Sequence, residues 1–203
     1  MVEFQRKDFY SYEDFLEIMR LLRAPGGCPW DREQTHSSIR RNFLEETYEV
    51  LDAIDHDDAS GMCEELGDVL MQVAFHAQIE AERGRFTMAN VVDGVARKLV
   101  YRHPHVFGTV KADTPEQVLD NWEAIKQREK DEQTITEGMR RVARALPANI
   151  RAAKVQKKAA RVGFDFEDYH QAADKVAEEL QEALDAAEKG RQEAVFEEFG
   201  DLM

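Results

Sequence analysis

Two stretches of this chain repeat each other at one fixed offset, and that repeat limits the fold more than any other feature of the sequence. One shift lays EETYEVLDA (45–53) on EELQEALDA (178–186), and the same shift lays EELGDVL (64–70) on EEFGDLM (197–203) without a gap. Upstream, PWD (29–31) falls on GFD (163–165) with one residue of slack. A chain of this kind folds one small unit twice. The expected copies are 24–70 and about 159–203, joined by a charged helical segment over roughly 121–144. The first copy continues into further helical sequence well past Leu70, whereas the second stops at Met203. The second is therefore expected to be incomplete: cut from a longer chain or completed by a partner.

Helical periodicity dominates the rest. Apolar residues recur at three- and four-residue spacing, long strand-like alternation is absent, and the chain has five prolines. The pattern predicts helices over about 11–23, 32–55 with a break near Arg41, 60–83, 87–102, 115–131, 148–161, 168–189 and from 192 onward. The fold class is therefore all-α, a bundle of amphipathic helices that bury their stripes against each other. The domain reading is a complete first domain over 1–131, a helical linker over 132–158 and the N-terminal part of a second domain over 159–203.

No window holds the ~18 uninterrupted apolar residues needed to span a bilayer, and the N-terminus lacks a signal-peptide core. Cys28 and Cys63 make neither a disulfide framework nor a zinc spacing, which points to a reducing cytoplasm without membrane attachment. A formal charge of −14 argues against nucleic acid as a partner, because a phosphate backbone would be repelled. A polyphosphate can still be held by acids if a divalent metal bridges the two.

Ten acids lie between Glu45 and Asp68, and they are not equivalent. At ~100° per residue, Phe43, Thr47, Val50, Leu51 and Ile54 form one stripe, with Glu46 at its border and Glu49 about 60° further round. On the next helix Met62, Leu66, Val69, Leu70 and Val73 form a stripe, and Glu65 and Asp68 take the same two angular positions beside it. Packed as neighbours, the helices point all four acids into one cleft. Such a set repels itself strongly unless it is protonated or metal-bound, and hard oxygen donors suit Mg²⁺ or Mn²⁺. The shift that aligns the two copies keeps all four, as Glu179, Glu182, Glu198 and Asp201. Asp55, Asp57 and Asp58 are left to solvent. Gly67 and Gly200, each inside a helix at a cost of about 1 kcal/mol against alanine, predict a close approach of a helix or a ligand.

Glu-Glu-x-x-Glu followed by Glu-x-x-Asp on paired helices resembles the MazG family of nucleoside triphosphate pyrophosphohydrolases. The likeness extends to GCPWDREQTH (27–36), LEETYEVLDAI (44–54), CEELGDVLMQV (63–73), RGRF (83–86), RHPHVFG (102–108), NWEAIKQRE (121–129) and AAKVQKKAARVGFDF (152–166). The resemblance implies the all-α NTP pyrophosphatase fold and hydrolysis between the α and β phosphates, giving a nucleoside monophosphate and pyrophosphate. It implies Glu46, Glu49, Glu65 and Asp68 as Mg²⁺ ligands, with Glu45, Glu46 or Glu49 taking the proton of the attacking water. It also implies phosphate contacts from Lys98, Arg102 and Lys126, and stacking of a base on Trp122 or Trp30. In the second copy it implies Glu179, Glu182, Glu198 and Asp201 as metal ligands and Lys175 as a basic group; Asn42 holds that place in the first copy. Against these stand a loop-plugging role for Trp30, a solvated face for Lys98 and Arg102, and a turn-fixing role for His103 and His105.

The leading expectation is a Mg²⁺-dependent NTP pyrophosphohydrolase, a homodimer that clears nucleoside triphosphates, with its complete site in residues 24–131. The alternative is an inactive helical module that dimerises, regulates, or binds a partner or Mg-NTP without turnover.

Overall fold

A computed structural model describes residues 3–129 and 134–202, all helix, turn and irregular segment, with no strand among them. The chain divides into two compact units, Met1–Thr109 and Val110–Met203. The expected helix end at 131, the boundary between 131 and 132, and Met203 lie outside the described residues.

In the first unit, α1 (Tyr12–Arg23) begins in a capping box: the Ser11 hydroxyl accepts from the Asp14 amide while the Asp14 carboxylate accepts from the Ser11 amide. It ends at the APGG turn, where Gly26 has φ +86°, a region that only glycine enters without cost. A short α2 (Pro29–Glu33) follows, then α3 (Arg40–Asp55), α4 (Ala59–Glu82), α5 (Met88–Arg102) and a single turn, α6 (Pro104–Phe107). The second unit holds α7 (Pro115–Glu129), α8 (Ile135–Arg140), α9 (Ala148–Ala160), α10 (Tyr169–Glu188) and α11 (Gln192–Leu202).

The expected helix over 32–55 is two helices, and its break lies at 34–39 rather than near Arg41. Polar side chains there bond locally and outcompete the helical ladder. Ser38 Oγ accepts from the Thr35 amide at 2.9 Å and donates to Gln34, while Thr35 Oγ1 accepts from the Ser38 amide. In the tight turn between α3 and α4, Asp55, Asp57 and Asp58 are exposed as expected, and two of them also shape the chain. Asp57 takes the left-handed conformation (φ 52°) that aspartate tolerates better than most residues. Asp58 caps α4 by accepting from the amides of Ser60 and Gly61.

The core of the first unit lies at the far end of α4 from that turn. Met19, Ile39, Ala74, Phe75 and Ile79 are buried together, with Phe15, Leu16, Leu22 and Met71 packed around them. Arg23 closes this end of α1. Its guanidinium holds Glu82 through two bonds of 2.8 Å, donates to the carbonyls of Asp31 and Gln34, and lies over the Phe75 ring. The predicted stripes are only partly buried: Leu51, Ile54, Leu66 and Leu70 remain exposed. Periodicity finds an apolar face but does not say which part of it the same chain covers.

The segment between α2 and α3 is tied to α4 by a partly buried polar network, centred on the buried Glu80, that the sequence reading missed. His36 Nδ1 and His76 Nδ1 lie 2.7 Å apart with the rings stacked, and His36 Nε2 meets the buried carboxylate of Glu80. Arg85 and Arg83 bond the same carboxylate. Burial and the neighbouring His36 push the His76 pKa down. Bonds from Arg85 and then His36 hold the Glu80 carboxyl down to about 2, against an ordinary 4.5. A carboxyl depressed on folding contributes stability that is present above its unfolded pKa and lost as pH falls through its folded one. Glu80→Gln is therefore expected to be less stable than wild type at pH 7, with the gap closing between pH about 4.5 and 2. Urea melts at stepped pH measure this; a gap that stays constant through that window would remove the role assigned to Glu80.

Candidate metal centre

Glu46 and Glu49 sit on α3 and Glu65 and Asp68 on α4, two helices packed along each other across the Asp57–Asp58 turn. One carboxylate oxygen each from Glu46, Glu49 and Glu65 lies within 4.8 Å of the others. Asp68 falls outside that trio, yet its charge reaches it. The Glu46 carboxyl is pushed up by burial, then by Asp68, Glu49 and Glu45. Glu65 is likewise raised by burial, then by the charge and hydrogen bond of Glu49, with Glu64 and Asp68 behind. Three acids thus converge with the charge of Asp68 close by, and Glu46 and Glu65 are half-buried.

Oxygens across an octahedral Mg²⁺ stand at most about 4.2 Å apart, twice the usual Mg–O length. The observed spread comes within a small rotation of that, and Glu49, which would make it, is exposed. The donor set is all oxygen and anionic, which fits Mg²⁺ or Mn²⁺ and offers no soft ligand. Glu45 is the exception among the named acids, since its carboxylate pairs with Arg41 at 2.8 Å one turn back.

The second unit repeats the arrangement on α10 and α11. Oxygens of Glu179, Glu182 and Glu198 lie within 4.8 Å of one another. Glu198 is pushed up by burial, then by Glu182, Glu179, Asp201 and Glu197, so Asp201 stands to this trio as Asp68 does to the first. The basic contacts differ: Arg41 on α3 has Asp174 as its counterpart, and Asn42 has Lys175. Lys175 Nζ reaches Glu179 at 2.7 Å and Glu178 at 3.0 Å, and these bonds raise its pKa and hold it charged.

The other named residues are placed as follows. Lys98 and Arg102 lie one turn apart on α5, which packs against α4. Trp122 and Lys126 are on α7, in the second unit, with the ammonium 5.2 Å from the centre of the indole. Trp30, at the start of α2, is 59% exposed and plugs nothing. His103 serves its turn, its Nδ1–H donating to the Leu99 carbonyl at 2.6 Å. The close approach expected at the helix glycines is not found among the described residues: a Cβ at Gly67 or Gly200 would meet nothing within 4 Å.

The MazG nucleotide pyrophosphohydrolase domain matches residues 34–107, a span that holds the whole first cluster and α5. A nucleoside triphosphate pyrophosphohydrolase/pyrophosphatase MazG from Thermotoga maritima is 43% identical over 192 residues, covering 95% of this chain and 72% of the relative. A nucleoside triphosphate pyrophosphohydrolase from Escherichia coli K12 is 44% identical over 191 residues, covering 93% and 73%. One from Mycobacterium tuberculosis is 40% identical over 153 residues, covering 74% and 45%. Identity at this level across most of the chain shows that it belongs to the MazG family of nucleoside triphosphate pyrophosphohydrolases.

Proposed function

We propose that the chain hydrolyses nucleoside triphosphates between the α and β phosphates, with Mg²⁺ as cofactor and the first carboxylate cluster as the site. The observation that carries this reading is the convergence of Glu46, Glu49 and Glu65, with Asp68 beside them, inside the span matched by the family. These four carboxylates would hold the metal. When bound, Mg²⁺ or Mn²⁺ offsets the charge of the triphosphate, polarises the α-phosphoryl group and lowers the pKa of a water.

The protein's own groups supply the rest. One of Glu45, Glu46 and Glu49 accepts the proton of the attacking water as its oxygen joins the α-phosphorus. The bond to the bridging oxygen breaks, and pyrophosphate leaves with the electron pair. Lys98 and Arg102 contact phosphate oxygens from α5. Trp122, with Lys126 on its face, and the exposed Trp30 are the candidate platforms for a base. The duplicated hairpin, with Glu179, Glu182, Glu198 and Asp201 as its ligands, is a second metal site in this reading.

A homodimer belongs to the same proposal. Leu44, Tyr48, Leu51, Ile54, Leu66 and Leu70 are all exposed on the α3–α4 hairpin, beside the open backbone of Gly67. An apolar face that size on the hairpin that carries the acids suits a second copy. The cytoplasmic placement rests on the cysteine usage; among the described residues no helix is long and apolar enough to cross a membrane.

The test is pyrophosphate release from a panel of NTPs and dNTPs. Release is expected with Mg²⁺, to vanish with EDTA and to return with Mg²⁺ or Mn²⁺. Nucleotide binding without product would instead support a non-hydrolysing module, and a protein whose melting and binding ignore EDTA and Mg²⁺ would refute the metal site.

A further inference from the structure

We propose that His36 and His76 form a one-proton latch that holds the segment between α2 and α3 on α4 and opens when acid forces a second proton on the pair. The two Nδ1 atoms face each other at 2.7 Å, with ring centres 5.0 Å apart and planes 13° from parallel. A bond between two ring nitrogens needs one N–H and one lone pair, so a single proton lies between them. The other nitrogen of His36, Nε2, faces the Glu80 carboxylate, which only accepts, and therefore carries a proton of its own.

Two charge states meet these demands. In the neutral pair the His76 Nδ1–H donates to His36 Nδ1. In the singly charged pair His36 is an imidazolium, and its Nδ1–H donates to His76 Nδ1. A second charge puts a proton on both facing nitrogens, and the contact becomes two donors pressed together. The neighbouring charges do not offset it. On α4 and just beyond, Glu80 is already bonded by Arg83 and Arg85. From α1 comes Arg23, bound to Glu82 and to the carbonyls of Asp31 on α2 and Gln34 after it. From α3 comes only the uncharged ring of Phe43, 5.9 Å from that of His76.

The latch is open to solvent protons, since the His36 side chain is 35% exposed. Burial and then His36 hold the His76 ring below an ordinary 6.5, so the folded pair refuses a proton that the unfolded chain accepts. The stability the latch adds is whole above about 6.5 and is lost as pH falls from there toward the folded value. That window lies above the one assigned to Glu80. With one proton taken up on opening, the opening equilibrium rises about tenfold per pH unit. Opening releases Ile39 from the core and frees the entry to α3 at Phe43, three residues before Glu46. The latch works whether or not the carboxylate cluster holds metal.

Two readouts on the metal-free chain test it. In ¹⁵N-labelled protein the shared proton should give a through-bond coupling between the two Nδ1 nuclei at neutral pH. Hydrogen exchange should then report the opening at the Ile39 and Phe43 amides, which donate to the carbonyls of Thr35 and Ile39. With intrinsic rates divided out, these amides should lose protection about tenfold per unit below about pH 6.5, and the Phe75 amide on α4 should lose less. His76→Gln keeps an acceptor for His36 but takes no proton, and His76→Phe keeps a ring against Phe43 without a ring nitrogen. In either variant the acid loss of protection should disappear. No coupling between the nitrogens, protection that stays flat below about pH 6.5, or the same acid loss in a folded variant would overturn the latch. Equal losses at Ile39, Phe43 and Phe75 would mean global unfolding and would overturn the local release.

Discussion

Pyrophosphate release is expected to fall at least about a hundredfold when Glu46 is replaced by Gln and Asp68 by Asn together, while the metal-free protein becomes more stable. The two halves of this result have one cause. Burial holds the Glu46 carboxyl above the ordinary range, and repulsion from Asp68, Glu49 and Glu45 adds to it. Without metal these charges oppose each other, so removing two of them relieves the fold. With metal they are the donors. Partners one shell further out already cost about 10–100-fold in metal affinity or activity when removed, so loss of direct donors costs at least that upper value. Gln and Asn keep size and shape, so packing of α3 on α4 is preserved. The measurement is a rate and a melting curve on the same samples, with EDTA and with Mg²⁺. Added Mg²⁺ should raise the wild-type melting point more than that of the variant. A variant that keeps its rate, or melts earlier than wild type in EDTA, would show that these acids are a solvated face.

Much of this site was legible because a helix converts spacing into direction. Glu46, Glu49, Glu65 and Asp68 were separable from their acidic neighbours by angle alone, and the second copy kept the same four. The structure brings three of each four close together and leaves the last of each, Asp68 and Asp201, near enough for its charge to be felt. The long helices were legible for the same reason: 60–83 was expected where α4 spans Ala59–Glu82, and 168–189 where α10 spans Tyr169–Glu188. Short elements such as α2 and α6 carry too few turns to show a period, and both were missed.

What the sequence hid was pairing over distance. His36 meets His76 and Glu80 on α4, and Arg23 at the end of α1 meets Glu82, all of them far apart along the chain. Each of these groups looks like an ordinary surface residue within its own helix or loop. The extent of burial was hidden too, since Leu66 and Leu70 are as apolar as Ile79, yet only Ile79 finds a covering helix within the unit. An exposed apolar face and one packed on α1 read alike.

That division along α4 yields the second large effect, a loss of stability without a loss of chemistry. Among the described residues Ile79 is the largest side chain with essentially no exposure, and it clusters with Met19, Ile39, Ala74 and Phe75. Truncation to alanine leaves a cavity whose walls belong to α1, the segment before α3 and α4 itself, and such walls collapse only in part. The expected cost is about 3 kcal/mol for Ile79→Ala and about 1 kcal/mol for Ile79→Val. Against the ~5–15 kcal/mol that holds a typical domain together, the larger loss is a substantial fraction, and it lowers the melting point by roughly 10–20 °C for a unit of about a hundred residues. The carboxylates are about 20 Å away, since Glu65 precedes Ile79 by roughly four helical turns at about 5.4 Å each. At a temperature where the variant remains folded, Mn²⁺ affinity and pyrophosphate release per folded molecule should therefore match wild type, while urea melts record the lost stability. Leu70→Ala, on the exposed part of the same helix, should cost well under half as much in the monomer. Equal losses at the two positions would mean that the core does not lie where α1 meets the end of α4, and the separation of scaffold from site along that helix would fail with it.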